Sequence, residues 1–74
     1  MWQEVDNSLV GEFQFPDFKS ALEFVNKIGE LAEAADHHPD IELGWGRVKV
    51  TLTTHTEGKI TDKDRLLAAK IDLI

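Results

Sequence analysis

The chain has 74 residues, which is the size of one domain, so residues 1–74 are predicted to form a single domain. Its 14 acidic and 8 basic residues give a formal net charge of −6. An acidic surface repels phosphate groups and anionic headgroups, so neither nucleic-acid binding nor membrane binding is expected. No apolar run approaches the roughly 20 residues of a membrane span, and the first residues lack a signal-peptide profile, so a cytoplasmic protein is expected.

Two short strands joined by a turn are predicted first. Residues 2–5 are a strand candidate, and Asp6-Asn7-Ser8 is a cluster of turn-forming residues. The segment 9–15 then alternates between two faces, with Leu9, Gly11, Phe13 and Phe15 on one and Val10, Glu12 and Gln14 on the other. This pattern is typical of a half-buried strand, so the two segments are predicted to form a hairpin.

A long amphipathic helix is predicted next. Asp17 is a candidate N-cap, and Pro39 marks the far limit because the residue before a proline is biased away from helical angles. Apolar residues recur between them at helical spacing, at Phe18, Ala21, Leu22, Val25, Ile28, Leu31, Ala32 and Ala35. The helix is therefore predicted to end near Ala35 or Asp36.

The second half repeats the order of two strands and a helix. Ile41–Trp45 is a weak strand candidate, and the glycines on both sides of Trp45 indicate a bend or tight turn. Arg47–Thr54 is the clearest strand, with Val48, Val50 and Leu52 on one face and Lys49, Thr51, Thr53 and His55 on the other. After a loop at 56–59, Thr61-Asp62-Lys63-Asp64 matches a helix-capping box, and Leu67, Ile71 and Ile74 continue a helix to the end.

This order predicts an α+β fold with two layers. Hairpin-like connections favour a four-stranded antiparallel sheet, and two amphipathic helices would cover one of its faces in the order ββαββα. The other face would carry the polar side chains of the strand 47–54 and be open to solvent or ligand. Because one core supplies little stability below roughly 70–80 residues, a homo-oligomer is expected.

The candidate chemistry lies with the three histidines, His37, His38 and His55. Histidine titrates near neutral pH and suits proton transfer, although two loop histidines and one strand-end histidine on the surface are a common arrangement. A histidine metal site is the other alternative. It is disfavoured because adjacent histidines tend to point in different directions, and the lack of cysteine excludes thiolate ligands.

Several neighbouring residues have both a functional and a structural interpretation. Asp36 can orient an imidazole, and Glu33 precedes the histidines, but a solvated helix end is the commoner role for both. Asp64 sits at the N3 position of the capping box, which is a structural role in itself. Trp45 can stack on a planar ligand or belong to the core.

The ordered set of these residues resembles a known family. Glu33 stands four residues before His37-His38-Pro39, Trp45 follows that proline by six residues, Thr54-His55 ends the next strand, and Asp64 follows nine residues later. Upstream, Trp2 and the run Phe13-x-Phe15-x-Asp17-Phe18 fit the same pattern. In these positions the chain is similar to the pterin-4a-carbinolamine dehydratases along nearly its whole length. It departs from them at Lys59, where a glycine is usual, and members typically carry a further helix ahead of the segment equivalent to Trp2.

The resemblance implies a cofactor-free enzyme that removes water from a 4a-hydroxytetrahydropterin to leave a quinonoid dihydropterin. It implies His37 and His55 as the acid–base pair, His38 as a residue that holds the pterin, and Glu33 and Asp64 as orienting groups. Asp36, Pro39 and Trp45 are the further candidates for the pterin site, and no metal is expected. The family also suggests a homodimer or homotetramer. Some members act instead as dimerisation cofactors or assembly factors, so a protein-binding module is the alternative function.

Overall fold

The computed structural model describes residues 2–74 and has two helices on a four-stranded sheet. The strands pair in the order β1-β2-β4-β3, and every pairing is antiparallel. The predicted two-layer α+β fold with the order ββαββα is therefore confirmed. The elements are β1 (Trp2–Val5), β2 (Ser8–Gln14), α1 (Phe18–Ala35), β3 (Asp40–Leu43), β4 (Arg47–Leu52) and α2 (Asp62–Ile71).

The first hairpin turns through two residues. Val5 pairs with Ser8, and the intervening Asp6 and Asn7 both have positive φ angles, 48° and 64°. Two-residue hairpin turns of this kind match the twist of the strands, and aspartate and asparagine tolerate the left-handed region better than most residues. The predicted turn cluster thus places β1 directly beside β2.

The core lies between the helices and one face of the sheet. Its buried members are Leu9, Val48, Val50 and Leu52 from the sheet, Ala21, Phe24, Ile28 and Ala32 from α1, and Leu67, Ala68 and Ile71 from α2. The buried stripe of α1 differs from the predicted one at Phe24. This ring packs between Phe13 and Phe15, with centroid separations of 4.8 and 5.0 Å, whereas Phe18 and Leu22 lie at the edge of the stripe and stay exposed.

Trp2 closes the core at the β1 edge. Its indole lies over Gly11, where an added Cβ would stand 2.9 Å from the ring, and it meets Phe13 edge-on with centroids 5.7 Å apart. The indole Nε1 donates a hydrogen bond to Asp72 Oδ1 at 3.0 Å. Any larger residue at position 11 would therefore displace the ring that joins β1 to the end of α2.

The opposite face of the sheet is polar, as predicted. Glu12, Lys49 and Glu42 stand in one cross-strand row, with Lys49 Nζ 3.9 Å from Glu42 Oε2. Arg47 Nη1 lies 3.7 Å from Glu12 Oε1 on the same face. These exposed pairs contribute little stability, and they keep this face hydrated.

The predicted ends of β3, β4 and α2 are each wrong by two or three residues, and β2 runs from Ser8 to Gln14 instead of from 9 to 15. Gly44 N–H donates to Arg47 O at 2.8 Å, so β3 stops at Leu43 and Trp45 lies in the turn. β4 stops at Leu52, and only Thr54 pairs again, in an isolated bridge to Lys59. α2 ends at Ile71 instead of running to Ile74. In the described residues neither helix combines the length and the apolar character that a membrane crossing requires.

Candidate active site

The end of α1 separates the two adjacent histidines. Asp36 caps the helix with left-handed angles, φ 50° and ψ 43°, and the His37 N–H donates back to Ala32 O at 3.1 Å. The chain reverses direction at this cap. The His37 side chain is consequently turned toward α2 and is only 11% exposed, whereas His38 stays half exposed beside α1. Pro39 then leads directly into β3.

His37 forms a close pair with Asp64. The distance from His37 Nε2 to Asp64 Oδ1 is 2.5 Å, and the Asp64 side chain is fully buried. Burial alone raises the pKa of this carboxyl, but hydrogen bonds from His37, Thr61 and Thr54 outweigh burial and hold the pKa below its usual value. Asp64 is therefore an ionised acceptor at neutral pH.

The start of α2 places that carboxylate. Asp64 is the N3 residue of the capping box, and its Oδ2 accepts the Thr61 backbone N–H at 2.9 Å. The same oxygen accepts the Thr54 hydroxyl at 2.8 Å. One carboxylate thus joins the end of β4, the first turn of α2 and the loop after α1. The capping role and the contact with His37 coexist, because each uses a different oxygen.

The pairing determines which nitrogen of His37 carries hydrogen. An ionised carboxylate only accepts hydrogen bonds, so the hydrogen between the two residues comes from Nε2. In the neutral ring Nδ1 is then bare and is the nitrogen that can accept a proton. A carboxylate on the far nitrogen also stabilises the imidazolium that forms once the proton has been accepted.

His38 has a carboxylate partner of its own, Glu33, but in a different environment. His38 Nε2 and Glu33 Oε2 are hydrogen bonded, and their side chains are 55% and 78% exposed. Solvent screening makes such a pair weak. Of the two orienting carboxylates expected from the sequence, Asp64 therefore holds its histidine much more firmly than Glu33 does.

A cavity of about 270 Å³ brings the three histidines together. Its lining residues are Asp36, His37, His38, Thr53, Thr54, His55, Thr56 and Lys63. His55 reaches it from the turn that follows β4, where Gly58 N–H donates to Thr54 O at 2.8 Å and Gly58 has a positive φ of 66°. Two histidines thus enter from the α1 side and one from the β4 side.

A larger groove of about 570 Å³ lies elsewhere, between α1 and the end of α2. It contains no histidine, and its charged lining groups are Lys27, Glu30 and Lys70 beside exposed aliphatic side chains. Size alone would favour this groove, but proton-transfer chemistry requires titratable groups that face one bound molecule. The smaller cavity is therefore the candidate active site.

Trp45 is a predicted site residue that the fold keeps away from this cavity. Asp40 pairs with Thr51 at the histidine end of the second hairpin, and Leu43 pairs with Val48 at the other end, next to Trp45. Strands rise about 3.3 Å per residue, so the two ends are roughly 10 Å apart. The indole is 71% exposed. Pro39 also stands outside the lining, although it adjoins His38.

Sequence reasoning missed four residues that line the cavity, Thr53, Thr54, Thr56 and Lys63. It also missed that Thr54 and Thr61 are hydrogen bonded to Asp64. A signal for Thr54 was present, because it shares the parity of the buried Val50 and Leu52. A hydroxyl at a core position needs a hydrogen-bond partner, and that partner here is Asp64.

Among the described residues, no group of three or more His, Asp or Glu side chains is placed so that it could hold a metal ion. The geometry gives a reason, since His37 and His38 diverge and each has its own carboxylate. The imidazoles are thus arranged as separate hydrogen-bonded groups around one cavity. Such an arrangement can hold a small polar molecule and exchange protons with it on more than one side.

Comparison with known proteins gives a consistent result. A family model described as pterin 4 alpha carbinolamine dehydratase matches residues 1–74. A protein of Picosynechococcus sp. is 52% identical over 71 residues, which cover 96% of this chain and 77% of the relative. A protein of Rubrobacter xylanophilus is 49% identical over 72 residues, covering 96% of this chain and 67% of the relative. Both relatives carry the name pterin-4-alpha-carbinolamine dehydratase as a provisional assignment.

Two solved structures share the fold. A transcriptional coactivator/pterin dehydratase from Brucella melitensis superposes with a TM-score of 0.92 at 38% identity, covering 97% of this chain and 79% of the other. A pterin dehydratase-like protein, identified as a RuBisCO assembly factor in the alpha-carboxysome, superposes with a TM-score of 0.79 at 26% identity. It covers 99% of this chain and 84% of the other.

Proposed function

Because this chain belongs to the pterin-4a-carbinolamine dehydratase family, we propose that it dehydrates a 4a-hydroxytetrahydropterin to a quinonoid dihydropterin and water. The observation that carries the proposal is the single cavity lined by His37, His38 and His55, with His37 held on a buried carboxylate. Three titratable rings around one small cavity are suited to proton transfer. No cofactor takes part in the proposed reaction.

The reaction needs one base and one acid. The base removes the proton from N5 of the pterin, the C4a–O bond breaks as a double bond forms between N5 and C4a, and the acid protonates the departing hydroxyl to give water. No electrons are gained or lost overall. General acid–base catalysis contributes about 10²–10⁴-fold, which suits a dehydration that already proceeds slowly without an enzyme.

His37 is the proposed base. Its Nε2 donates to the ionised Asp64, so Nδ1 is the nitrogen left to take the N5 proton. The resulting imidazolium is stabilised by the carboxylate behind it. Asp64 therefore stabilises the charge without touching the pterin.

His55 is the proposed acid. It enters the cavity from the β4 side, across from the α1 end that carries His37, and its exposure lets solvent restore its proton after each turnover. His38, oriented by Glu33, is proposed to hold the pterin. Asp36 and Lys63 also line the cavity, where they can bind the polar edge of the ring.

Turnover of a freshly prepared 4a-hydroxypterin tests the proposal. Purified protein should accelerate formation of the quinonoid product, as followed by absorbance, and His37→Ala combined with His55→Ala should abolish the acceleration. Lys27→Ala, which removes a charge from the other groove, is the control for handling and folding. The proposal fails if the double variant matches the parent rate.

A non-catalytic role in protein binding or assembly is the second candidate. It is supported by the structural likeness to a protein identified as an assembly factor and to one described as a coactivator. Folded protein that leaves the 4a-hydroxypterin rate unchanged would favour this role. All three histidines are present in this chain, which is why the enzymatic function is preferred.

A further inference from the structure

Thr54 lies in the interior between β4 and α2 and is 5% exposed. Its Oγ stands 2.8 Å from Asp64 Oδ2 and 2.7 Å from Thr61 Oγ. Neither Thr54 nor Thr61 belongs to the acid–base pair proposed above. A hydroxyl has only one hydrogen to donate, so Thr54 can be the donor in only one of these two hydrogen bonds.

The ionised Asp64 carboxylate can only accept, so the hydrogen between Thr54 and Asp64 comes from Thr54. That uses the only hydrogen of the Thr54 hydroxyl. The bond between the two threonines must then run the other way, with Thr61 Oγ–H donating to Thr54 Oγ. The result is a directed chain from Thr61 through Thr54 to Asp64, in which each bond strengthens the next.

The chain holds the carboxylate in one rotation. Oδ2 is held by the Thr54 hydroxyl and by the Thr61 N–H at 2.9 Å, which leaves Oδ1 aimed at His37 Nε2. Without the Thr54 hydroxyl, only the amide N–H would fix Oδ2. The carboxylate could then turn, and its hold on the Nε2–H form of His37 would weaken.

We propose that Thr54 is a positioning residue that keeps Asp64 aimed at His37 and so keeps the His37 hydrogen on Nε2. The effect on the rate rests on the dehydratase function proposed above, whereas the effect on the imidazole does not. Thr54 itself does not touch the reacting atoms in this scheme. Its hydroxyl acts through Asp64.

The test compares two variants. Thr54→Val keeps the shape of the side chain but removes the hydroxyl, whereas Thr54→Ser keeps the hydroxyl. Thr51→Val makes the same change on the outer face of β4 and is the matched control. The ring ¹⁵N shifts of His37 report the tautomer when they are recorded well above the usual histidine pKa range. The parent, Thr54→Ser and Thr51→Val should carry the hydrogen on Nε2, and Thr54→Val should show a substantial Nδ1–H population.

Turnover provides the second readout. Thr54→Val should lower kcat about tenfold to a hundredfold, the effect of losing one hydrogen bond to a charged group, while KM changes little and Thr54→Ser recovers most of the rate. Folded Thr54→Val with the parent tautomer and parent kcat would overturn the proposal. If no variant turns over the pterin, including the parent, the dehydratase function fails and the ¹⁵N shifts still decide the role of Thr54.

The parent protein supplies a further check that needs no variant, in case Thr54→Val does not fold. The Thr54 hydroxyl proton should exchange slowly with water and lie next to Asp64 in proton spectra, because it is buried and committed to that bond. A rapidly exchanging Thr54 hydroxyl, or a parent His37 with its hydrogen on Nδ1, would refute the inference.

Discussion

Replacing Asp64 with asparagine separates its structural role from its chemical one. The amide has nearly the size of the carboxylate, so the fully buried site is neither emptied nor overfilled. In the orientation that satisfies most partners, the amide oxygen accepts from Thr54 and Thr61, and the amide nitrogen faces His37. That nitrogen donates, so His37 Nε2 must become an acceptor and the ring hydrogen must move to Nδ1.

The expected loss of activity follows from that shift. With its hydrogen on Nδ1, His37 no longer offers a bare nitrogen there, and no carboxylate stabilises the imidazolium. We expect kcat per folded molecule to fall by about 10²–10⁴, the whole contribution of one general base. The same exchange of aspartate for asparagine in a serine-protease triad costs about 10⁴.

The expected loss of stability should leave most molecules folded, unlike the expected loss of activity. Three hydrogen bonds to Asp64 lose the assistance of a charge, and bonds to charged groups exceed neutral ones by about 1 kcal/mol each. Asp64→Asn should therefore lower the free energy of unfolding by about 3 kcal/mol. A chain of this length has roughly 4–11 kcal/mol in total, so most molecules should remain folded at low temperature.

The assay measures turnover of a 4a-hydroxypterin together with urea unfolding, so that the rate is expressed per folded molecule. Asp62→Asn is the matched control, because it removes the same charge from the same helical turn at an exposed position. Its rate should stay within about twofold of the parent, since surface changes seldom disturb a site. If Asp64→Asn loses stability but keeps the parent rate per folded molecule, Asp64 is a helix cap only and the mechanism is wrong.

Three further predictions concern assembly, metals and acid stability. Light scattering should give a homo-oligomer, and a mass near one 8.3 kDa chain at micromolar concentration would contradict this. Activity should survive chelation, and stoichiometric zinc whose removal stops turnover would overturn the acid–base scheme. The pKa of Asp64 is lower in the folded protein than in the unfolded chain, so the ionised carboxylate stabilises the fold. This contribution is complete at pH values above the unfolded pKa of about 4, and it is lost as the pH falls from there to the folded pKa. In urea titrations, Asp64→Asn should flatten this part of the pH dependence, and an unchanged slope would refute the assignment.

Much of the fold and part of the site follow from local patterns. Alternation predicted β2 and β4, the apolar spacing from Phe18 to Ala35 predicted α1, and the capping box at Thr61 predicted the start of α2. These patterns are read within a few residues, where the period of a helix or strand dominates. The ordered spacing of the histidines, Glu33 and Asp64 was likewise enough to identify the family, because a spacing needs no knowledge of packing.

Tertiary structure decided which of these residues meet. Asp64 and His37 are 27 residues apart, and their contact exists because α2 packs beside the end of α1, which no local period encodes. The same packing buried Phe24 in place of Phe18, made Thr54 a partner of Asp64, and kept Trp45 at the far end of its hairpin from the histidines. The amino-acid sequence by itself determined the elements and the chemical groups available. The three-dimensional packing determined which carboxylate is buried, and therefore which histidine is paired with a buried carboxylate.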